Sequence, residues 1–193
     1  MVDNTDSWIL SYVDNLINKL ISQNHTVRFV QHHSKLESGD IAFFLSCGNI
    51  VPKNKLSLHK HNLVVHESAL PKGKGWSPLT WQILEGENTI PITLIEVADK
   101  VDSGKIYLQE QMIFEGHELI DEMRAVQAKY SFDLCERFIE DYPDILKNGK
   151  KQKGESTFYS RRKPKDSKLE LDKSIEEQFN LLRVSDSKRY PAF

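Results

Sequence analysis

A histidine and an aspartate in this sequence stand where side chains can exchange protons. His66 follows the apolar run "NLVV" and precedes a loop rich in Pro, Gly and Lys. The run has the length and composition of a buried strand, and α/β sheets open their ligand crevice at the ends of such strands. An imidazole there is a candidate general acid–base group. The alternative, of equal weight, is a half-buried histidine that a backbone carbonyl satisfies.

Asp102 offers His66 a partner. It lies in "DKVDSGKI", in a turn between two predicted strands. A carboxylate in that place can hydrogen-bond a histidine across the crevice and fix its tautomer. An aspartate before Ser and Gly is also a common way to begin a turn, and for an isolated Asp-Ser-Gly that explanation is the more frequent one. Only the pairing with His66 makes Asp102 a catalytic candidate.

The elements that must position these residues alternate between strands and helices. Helical spacing of apolar residues predicts helices over 7–22, with Asp6 as N-cap, and over 119–139, and Pro78 opens a shorter one over 77–85. Predicted strands cover residues 26–30, 40–46, 62–65, 91–97 and 105–114. This order predicts an α/β fold with a mostly parallel sheet, helices on both faces and a mixed edge.

The composition divides the chain into three parts. We expect a catalytic core over residues 1–146, a linker over 147–156 and a C-terminal extension over 157–193. The segment "KNGKKQKGES" is charged and lacks apolar periodicity, which is typical of an exposed linker. In the extension, Ser174 and Glu177 have the spacing of a capping box at the start of a short helix.

Charge and cysteine content disfavour several classes of function. Lys and Arg total 26 against 28 for Asp and Glu, so the formal net charge is -2, which disfavours binding to nucleic acid through phosphate neutralisation. Cys47 and Cys135 lack the spacing of a metal site, so we expect free thiols and no bound metal. No apolar run reaches the length of a membrane span, and we expect a cytoplasmic protein without a membrane partner. Dinucleotide, phosphate-loop and nucleophile-elbow motifs are missing.

The segment "VVHESALPKGKGWSPLTWQILEGENTIPITLIEVADKVDSGKIYLQEQMIF" resembles the core of the folate-dependent formyltransferases. Their pattern is Asn-x-His-x-Ser-Leu-Leu-Pro, then a Gly-rich loop and helix, a strand, and Leu-Asp-x-Gly. The resemblance spans residues 41–142, and "RRKPKDSKLELD" with "NLLRVSDSKRYPAF" is similar to the sugar N-formyltransferase branch. It implies a Rossmann-like formyltransferase core. The family's first strand would lie just before Asp3, so that strand is expected to be missing or very short.

By this resemblance His66 and Asp102 are two members of the family's Asn-His-Asp catalytic group. The formyl donor would be 10-formyltetrahydrofolate. His66 would transfer the proton that passes from the attacking amine to the folate nitrogen, and Asp102 would orient the His66 imidazole and stabilise its positive charge. The family's Asn is replaced by Val64, which cannot donate a hydrogen bond to an oxyanion. Loss of one such donor costs about 10²- to 10³-fold in rate. Asn62, on the same strand face, and Asn49, at the end of the neighbouring strand, are the candidate replacements.

The resemblance also suggests ligand contacts. In the family, the segments aligned with "CGNIVP" and "VADKVD" border the pterin of the folate. This implies four folate-side residues: Asn49, Ile50, Ala98 and Asp99. Lys74 and Trp76 follow His66 and are candidates for contact with a sugar or a phosphate, although Trp76 fits a core position equally well.

The sequence therefore predicts transfer of a formyl group to the amine of a nucleotide-linked amino sugar. Family members that act on initiator tRNA carry a basic insertion after the first helix and a C-terminal barrel, and neither is visible here. Two alternatives stay open. One is hydrolysis of 10-formyltetrahydrofolate, with water as acceptor; the other is a catalytically weak folate- or nucleotide-binding module, because of Val64. The oligomeric state is open, with a homodimer as one option.

Overall fold

A sheet of four strands in the order β1-β2-β4-β5 forms the centre of the computed structural model, which describes residues 1–193. Strands β3 and β6 form a separate two-stranded sheet. The strands are β1 Gly39–Phe44, β2 His59–His66, β3 Lys74–Gly75, β4 Thr89–Glu96, β5 Ile106–Ile113 and β6 Phe158–Tyr159. The α-helices are α1 Leu10–Ser22, α2 Lys53–Leu56, α3 Pro78–Leu84, α4 Ile120–Glu140 and α5 Phe179–Arg183.

The α/β class is confirmed, and the antiparallel part of the sheet is larger than predicted. Strands β1 and β2 run parallel, with Gly39 opposite His59 and Phe44 opposite Val64. Strand β4 runs antiparallel to both β2 and β5. A parallel crossover needs a dozen or more residues, and residues 97–105 between β4 and β5 are too few for one. The antiparallel pairing predicted for the edge of the sheet thus includes β2 as well as β4 and β5, and β1–β2 is the parallel pair of this sheet.

The main apolar core lies on one face of the sheet. Side chains alternate along a strand, so Leu63 of β2 and Ile92 of β4 face the helices α3 and α4. The buried members of this core are Leu63, Leu79, Ile83, Ile90, Ile92, Leu94, Met112, Phe114, Met123, Leu134, Phe138, Ile145 and Val184. Helix α1 packs beside α4 on the same side through the stripe that its apolar spacing predicts.

The opposite face of the sheet has a lighter cover. Ala42 and Phe44 of β1 pack there with Leu36, and the helix on this side is the four-residue α2. Helices on both faces were predicted, and the structure shows that the two layers are unequal. Because β2 alternates, Asn62, Val64 and His66 point to this lightly covered face.

The predicted strand over residues 26–30 does not form. A strand needs a neighbour that supplies a ladder of hydrogen bonds, and this segment receives one, from the Val2 N–H to the Val30 carbonyl at 3.2 Å. Met1 bonds to β1 and its continuation, through the Phe43 carbonyl at 2.6 Å and the Leu45 N–H at 2.9 Å. Met1 and Val2 thus stand where the family's first strand was expected.

The predicted N-cap of the first helix is wrong, and the predicted free cysteines are confirmed. The predicted cap at Asp6 is wrong, because α1 begins at Leu10 without a side-chain cap. Cys47 and Cys135 are free, as predicted, and burial raises the pKa of both thiols. None of the helices combines the length and the apolar character that crossing a bilayer requires.

The C-terminal residues pack on the core. Lys150 and Ile106 exchange two backbone hydrogen bonds of 2.8 Å, so the charged segment 147–156 is tied to β5 and is not a free linker. Its side chains are mostly exposed, as predicted. The capping box forms, since the Glu177 N–H donates to Ser174 Oγ at 3.2 Å and the Ser174 N–H donates to the Glu177 carboxylate at 2.8 Å.

Arg183 holds this extension in place, and its replacement by Ala should destabilise the protein. The guanidinium is 1% exposed and donates to the Glu118 carbonyl and carboxylate, to Asn88 and to Asn180. Removing one partner of a buried ion pair costs about 3 to 5 kcal/mol, and urea unfolding would measure this loss. Arg189→Ala, at an exposed position of the same extension, is the control and should stay within about 0.5 kcal/mol of the parent. Equal unfolding midpoints for the two variants would contradict the assignment.

Candidate functional site

The end of β2 and the two loops that face it bring His66 and Asp102 together. His66 Nδ1 lies 3.8 Å from Asp102 Oδ1, and the two side chains are 7% and 10% exposed. The Gly75 N–H donates to Asp102 Oδ2 at 2.9 Å. The predicted proximity is therefore present in the structure, while the catalytic roles of the two residues stay predictions.

The other ring nitrogen of His66 has a backbone partner. Nε2 lies 2.8 Å from the Gly73 carbonyl oxygen. A carbonyl only accepts hydrogen bonds, so Nε2 carries the proton of this contact. The backbone partner and the carboxylate expected for His66 are thus both present, since a carbonyl binds one nitrogen and a carboxylate faces the other. The acid–base role of His66 stays a prediction. For Nε2 to exchange a proton with a substrate, the Gly73 carbonyl must release it.

A short parallel pairing of β3 with β6 fixes the loop that carries Gly73 and Gly75. The Gly73 N–H donates to Thr157 Oγ1 at 2.8 Å, and the Trp76 N–H donates to the Tyr159 carbonyl at 3.1 Å. Gly75 has φ of 97°, and an added Cβ would lie 2.4 Å from the Tyr159 carbonyl oxygen, so only glycine fits there. Sequence reasoning missed these supports, because nothing in the residues around position 157 indicates which loop they meet.

The loop after His66 presents the two residues predicted to bind the acceptor. Lys74 is buried, and its Nζ donates to Ser103 Oγ at 3.0 Å. Trp76 is 41% exposed, which excludes the alternative of a core position. The guanidinium carbon of Arg161 lies 4.8 Å from the centre of the Trp76 ring, within the range of a cation–π contact. Trp76 and Arg161 form a surface, here called the Trp76–Arg161 ledge, beside the His66 loop.

Of the two candidate replacements for the expected amide, Asn62 has a partner in the fold. Its side-chain Nδ2 donates to the Leu56 carbonyl at 3.0 Å, which ties β2 to α2. This bond uses one of the two N–H groups of the amide, and a role of Asn62 in the reaction stays a prediction. Val64 pairs with Phe44 and Ile95 across the sheet, and its side chain packs against apolar neighbours. The side chain of Val64 itself has no hydrogen-bond donor.

Asn49 lies in a loop on the ledge side of the site. Its side chain is exposed, and its backbone N–H donates to the Asp3 carboxylate at 2.7 Å. The preceding Gly48 borders the Trp76 ring, because an added Cβ would lie 3.6 Å from it. Asn49 is thus available for a ligand, and its role stays a prediction.

The other residues expected on the folate side are exposed at the same edge. Ile50 is 81% exposed, and Ala98 is exposed as well. Asp99 forms an exposed ion pair of 2.7 Å with Lys53 at the start of α2, which links the two loops expected to border the pterin. Their contact with folate stays a prediction.

Next to His66 is a half-buried carboxylate, that of Glu67, which the sequence reasoning did not single out. Burial raises the pKa of Glu67, and the Gln127 amide of α4 and the charge of His66 act against that rise. Gln127 Nε2 donates to Glu67 Oε1 at 2.6 Å, and Gln82 Nε2 donates to the Glu67 carbonyl at 2.6 Å. These bonds anchor the residue next to His66 to α3 and α4.

The profile of a known protein family, described as formyl transferase, matches residues 15–130. The chain belongs to this family. The match contains His66, Asp102 and Val64 and ends before the segment that supports the site from residues 150 to 159.

Individual formyltransferases show the extent of the similarity. Methionyl-tRNA formyltransferase of Thermodesulfovibrio yellowstonii is 30% identical over 175 residues, which cover 88% of this chain and 51% of that protein. The chain thus spans about half the length of the curated relatives it matches first, apart from a longer bifunctional protein of which it covers 25%.

Solved structures agree on the fold. Methionyl-tRNA formyltransferase from Clostridium thermocellum superimposes with a TM-score of 0.78 at 26% identity, over 98% of this chain and 84% of that one. An N-formyltransferase from Helicobacter canadensis, in complex with folinic acid and dTDP-3-aminofucose, has a TM-score of 0.66 at 23% identity and covers 92% of this chain and 67% of that one. At that lower identity the likeness shows the shared fold alone.

Gly104 should be intolerant of a side chain, because the turn that carries Asp102 passes very close to β4. An added Cβ at Gly104 would lie 1.6 Å from the Glu96 carbonyl oxygen, so Gly104→Ala must displace backbone. We expect a loss of about 2 kcal/mol or more in the free energy of unfolding, measured in urea. Gly48→Ala is the matched control, because the new Cβ would make an ordinary 3.6 Å contact. A Gly104→Ala protein as stable as the control would show that the turn is placed wrongly.

Proposed function

We propose that this chain transfers a formyl group from 10-formyltetrahydrofolate to the amine of a nucleotide-linked amino sugar. The observation that carries the proposal is the buried His66–Asp102 pair, which lies at the end of β2 within the part of the chain that matches the family. An aspartate that faces an imidazole can hold its orientation and stabilise its positive charge while the imidazole moves a proton.

The reaction needs one proton transfer between two nitrogens. The amine nitrogen bonds to the formyl carbon, the bond from that carbon to the folate nitrogen breaks, and one proton passes from the amine to the folate nitrogen. Nε2 of His66 already carries a proton, which it donates to the Gly73 carbonyl when no substrate is bound. Once that carbonyl has released the ring, Nε2 gives this proton to the folate nitrogen and takes up the proton of the amine. Asp102 keeps Oδ2 bound to the Gly75 N–H and Oδ1 facing the ring.

The Trp76–Arg161 ledge is the reason for proposing a sugar nucleotide as the acceptor. An exposed indole can stack on a base or a sugar, and a guanidinium binds phosphate oxygens in a bidentate geometry. A net charge of -2 gives little general attraction for a polyanion such as tRNA. The Helicobacter canadensis neighbour supports the sugar nucleotide by the ligands in its complex.

A tRNA acceptor is the second candidate, and a specific observation favours it. The relatives with 30% and 26% identity are methionyl-tRNA formyltransferases, whereas the sugar-nucleotide neighbour has 23%. Hydrolysis with water as acceptor and folate binding with little turnover are further alternatives, because Val64 leaves the oxyanion without the family's donor.

An acceptor panel separates these possibilities. The purified chain receives 10-formyltetrahydrofolate with dTDP-linked amino sugars, with initiator methionyl-tRNA, or with neither, and mass spectrometry and formate release report the products. We expect a formylated sugar nucleotide. Formylated tRNA would replace the proposed acceptor, formate without an acceptor would indicate a hydrolase, and donor binding without any product would indicate a binding module.

His66→Ala should lower the rate of the reaction found by about 10²- to 10⁴-fold, the usual contribution of a general acid–base group. His117→Ala is the matched control, because this imidazole is 70% exposed and contacts only a neighbouring glutamate. It should keep the parental rate. Equal activities of the two variants would remove His66 from the mechanism.

Val64→Asn tests the missing oxyanion donor. The new amide would point to the same face of β2 as His66, and an added donor is expected to raise kcat by up to about 10²-fold. Val64→Ala is the control, since it removes the apolar side chain without adding a donor, and it should not gain rate. If both variants lose activity equally, the protein uses another donor for the oxyanion, and Asn49→Ala is then expected to be inactive.

A further inference from the structure

A glutamine in the charged segment 147–156 contacts the backbone that carries Asp102. Gln152 Nε2 donates to the Asp102 carbonyl at 2.9 Å and to the Gly104 carbonyl at 3.0 Å. The side-chain Oε1 of Gln152 is buried without a hydrogen-bond partner. The two N–H groups of this amide are thus both spent on the turn of Asp102, and the amide serves nothing else.

The turn of Asp102 needs such support. Asp102 has φ of 51°, in the left-handed region that side chains other than glycine rarely adopt. Gly104, two residues later, lies against the Glu96 backbone, so the turn is held on one side by β4. The Gln152 amide binds the carbonyls on either side of Ser103 and gives the turn a second support. A residue in an unfavourable backbone conformation persists only where its surroundings impose it.

The position of this turn sets the distance between the two candidate catalytic side chains. The Asp102 carboxylate is fixed by its backbone and by the Gly75 N–H, and it faces His66 Nδ1 at 3.8 Å. We propose that Gln152 is a positioning residue for Asp102, which acts through the Asp102 turn on His66 and does not touch substrate. This inference rests on the function proposed above. Gln152 lies beyond residues 15–130, the part of the chain that matches the family.

Substitution of Gln152 should lower kcat and leave KM nearly unchanged. A misplacement of about 1 Å in a catalytic group costs about 10²-fold, so we expect Gln152→Ala to lose about 10- to 100-fold in kcat. Gln152→Glu keeps the size of the side chain but replaces its donors by acceptors, and it should be at least as slow. Gln152→Lys supplies N–H donors again and should recover part of kcat.

Gln178→Ala is the matched control. The Gln178 amide also binds backbone carbonyls, those of Glu170, Lys173 and Ser174, but in the C-terminal extension. Its loss should leave kcat and KM at the parental values. Parental kcat in Gln152→Ala and Gln152→Glu, or an equal loss in Gln178→Ala, would overturn the proposal.

A measurement without turnover separates this inference from the proposed function. The imidazole ¹⁵N resonances of His66, identified by their absence in His66→Ala, report the contact with Asp102. They should move in Gln152→Ala and stay in place in Gln178→Ala. If the parent protein formylates none of the acceptors, the proposed function fails, yet these resonances still decide the role of Gln152: unmoved signals in Gln152→Ala would overturn it.

Discussion

One short loop joins the two halves of the site. The Gly73 carbonyl binds the ring of His66, and two residues later the Gly75 N–H binds the carboxylate of Asp102. His66 ends a strand and Asp102 lies in a turn 36 positions further along the numbering, and this loop forms a hydrogen bond with the side chain of each. Backbone groups are suited to this task, because their positions follow from the fold and lose no side-chain entropy on ordering.

This loop is in turn held by residues far along the chain. Thr157 and Tyr159 bind the backbone on both sides of Lys74, and Gln152 binds the turn of Asp102. The supports of the candidate site thus extend into a region of mostly exposed, charged side chains. Exposure of side chains says little about the backbone beneath them, because an N–H or a carbonyl can bind the core while the side chain stays in water.

The site combines family residues with one apolar replacement. Val64 occupies the position from which family members present an amide, and its side chain packs against the apolar layer of the lightly covered face. The adjacent Asn62 uses its amide to hold α2. If the proposed roles hold, stabilisation of the oxyanion is the step at which this chain departs from the family pattern, whereas the proposed acid–base pair keeps it.

Local pattern was sufficient for most elements and for the identity of the pair. The apolar spacing of α1 and α4 and the β-favouring runs of β1, β2, β4 and β5 follow from side chains that must leave water. The resemblance to the family motif predicted that His66 and Asp102 lie in one site. The predictions of secondary structure and strand direction that were wrong depended on partners distant in sequence. Residues 26–30 have the composition of a strand but lack a ladder of hydrogen bonds. Strand β4 pairs with β2 in the antiparallel direction, and the composition of a strand does not determine that direction. The supports from Gln152, Thr157 and Tyr159 arise only when a remote segment reaches the site. Each of them binds a main-chain N–H or carbonyl, and every residue type carries such groups, so the sequence does not indicate which backbone is bound.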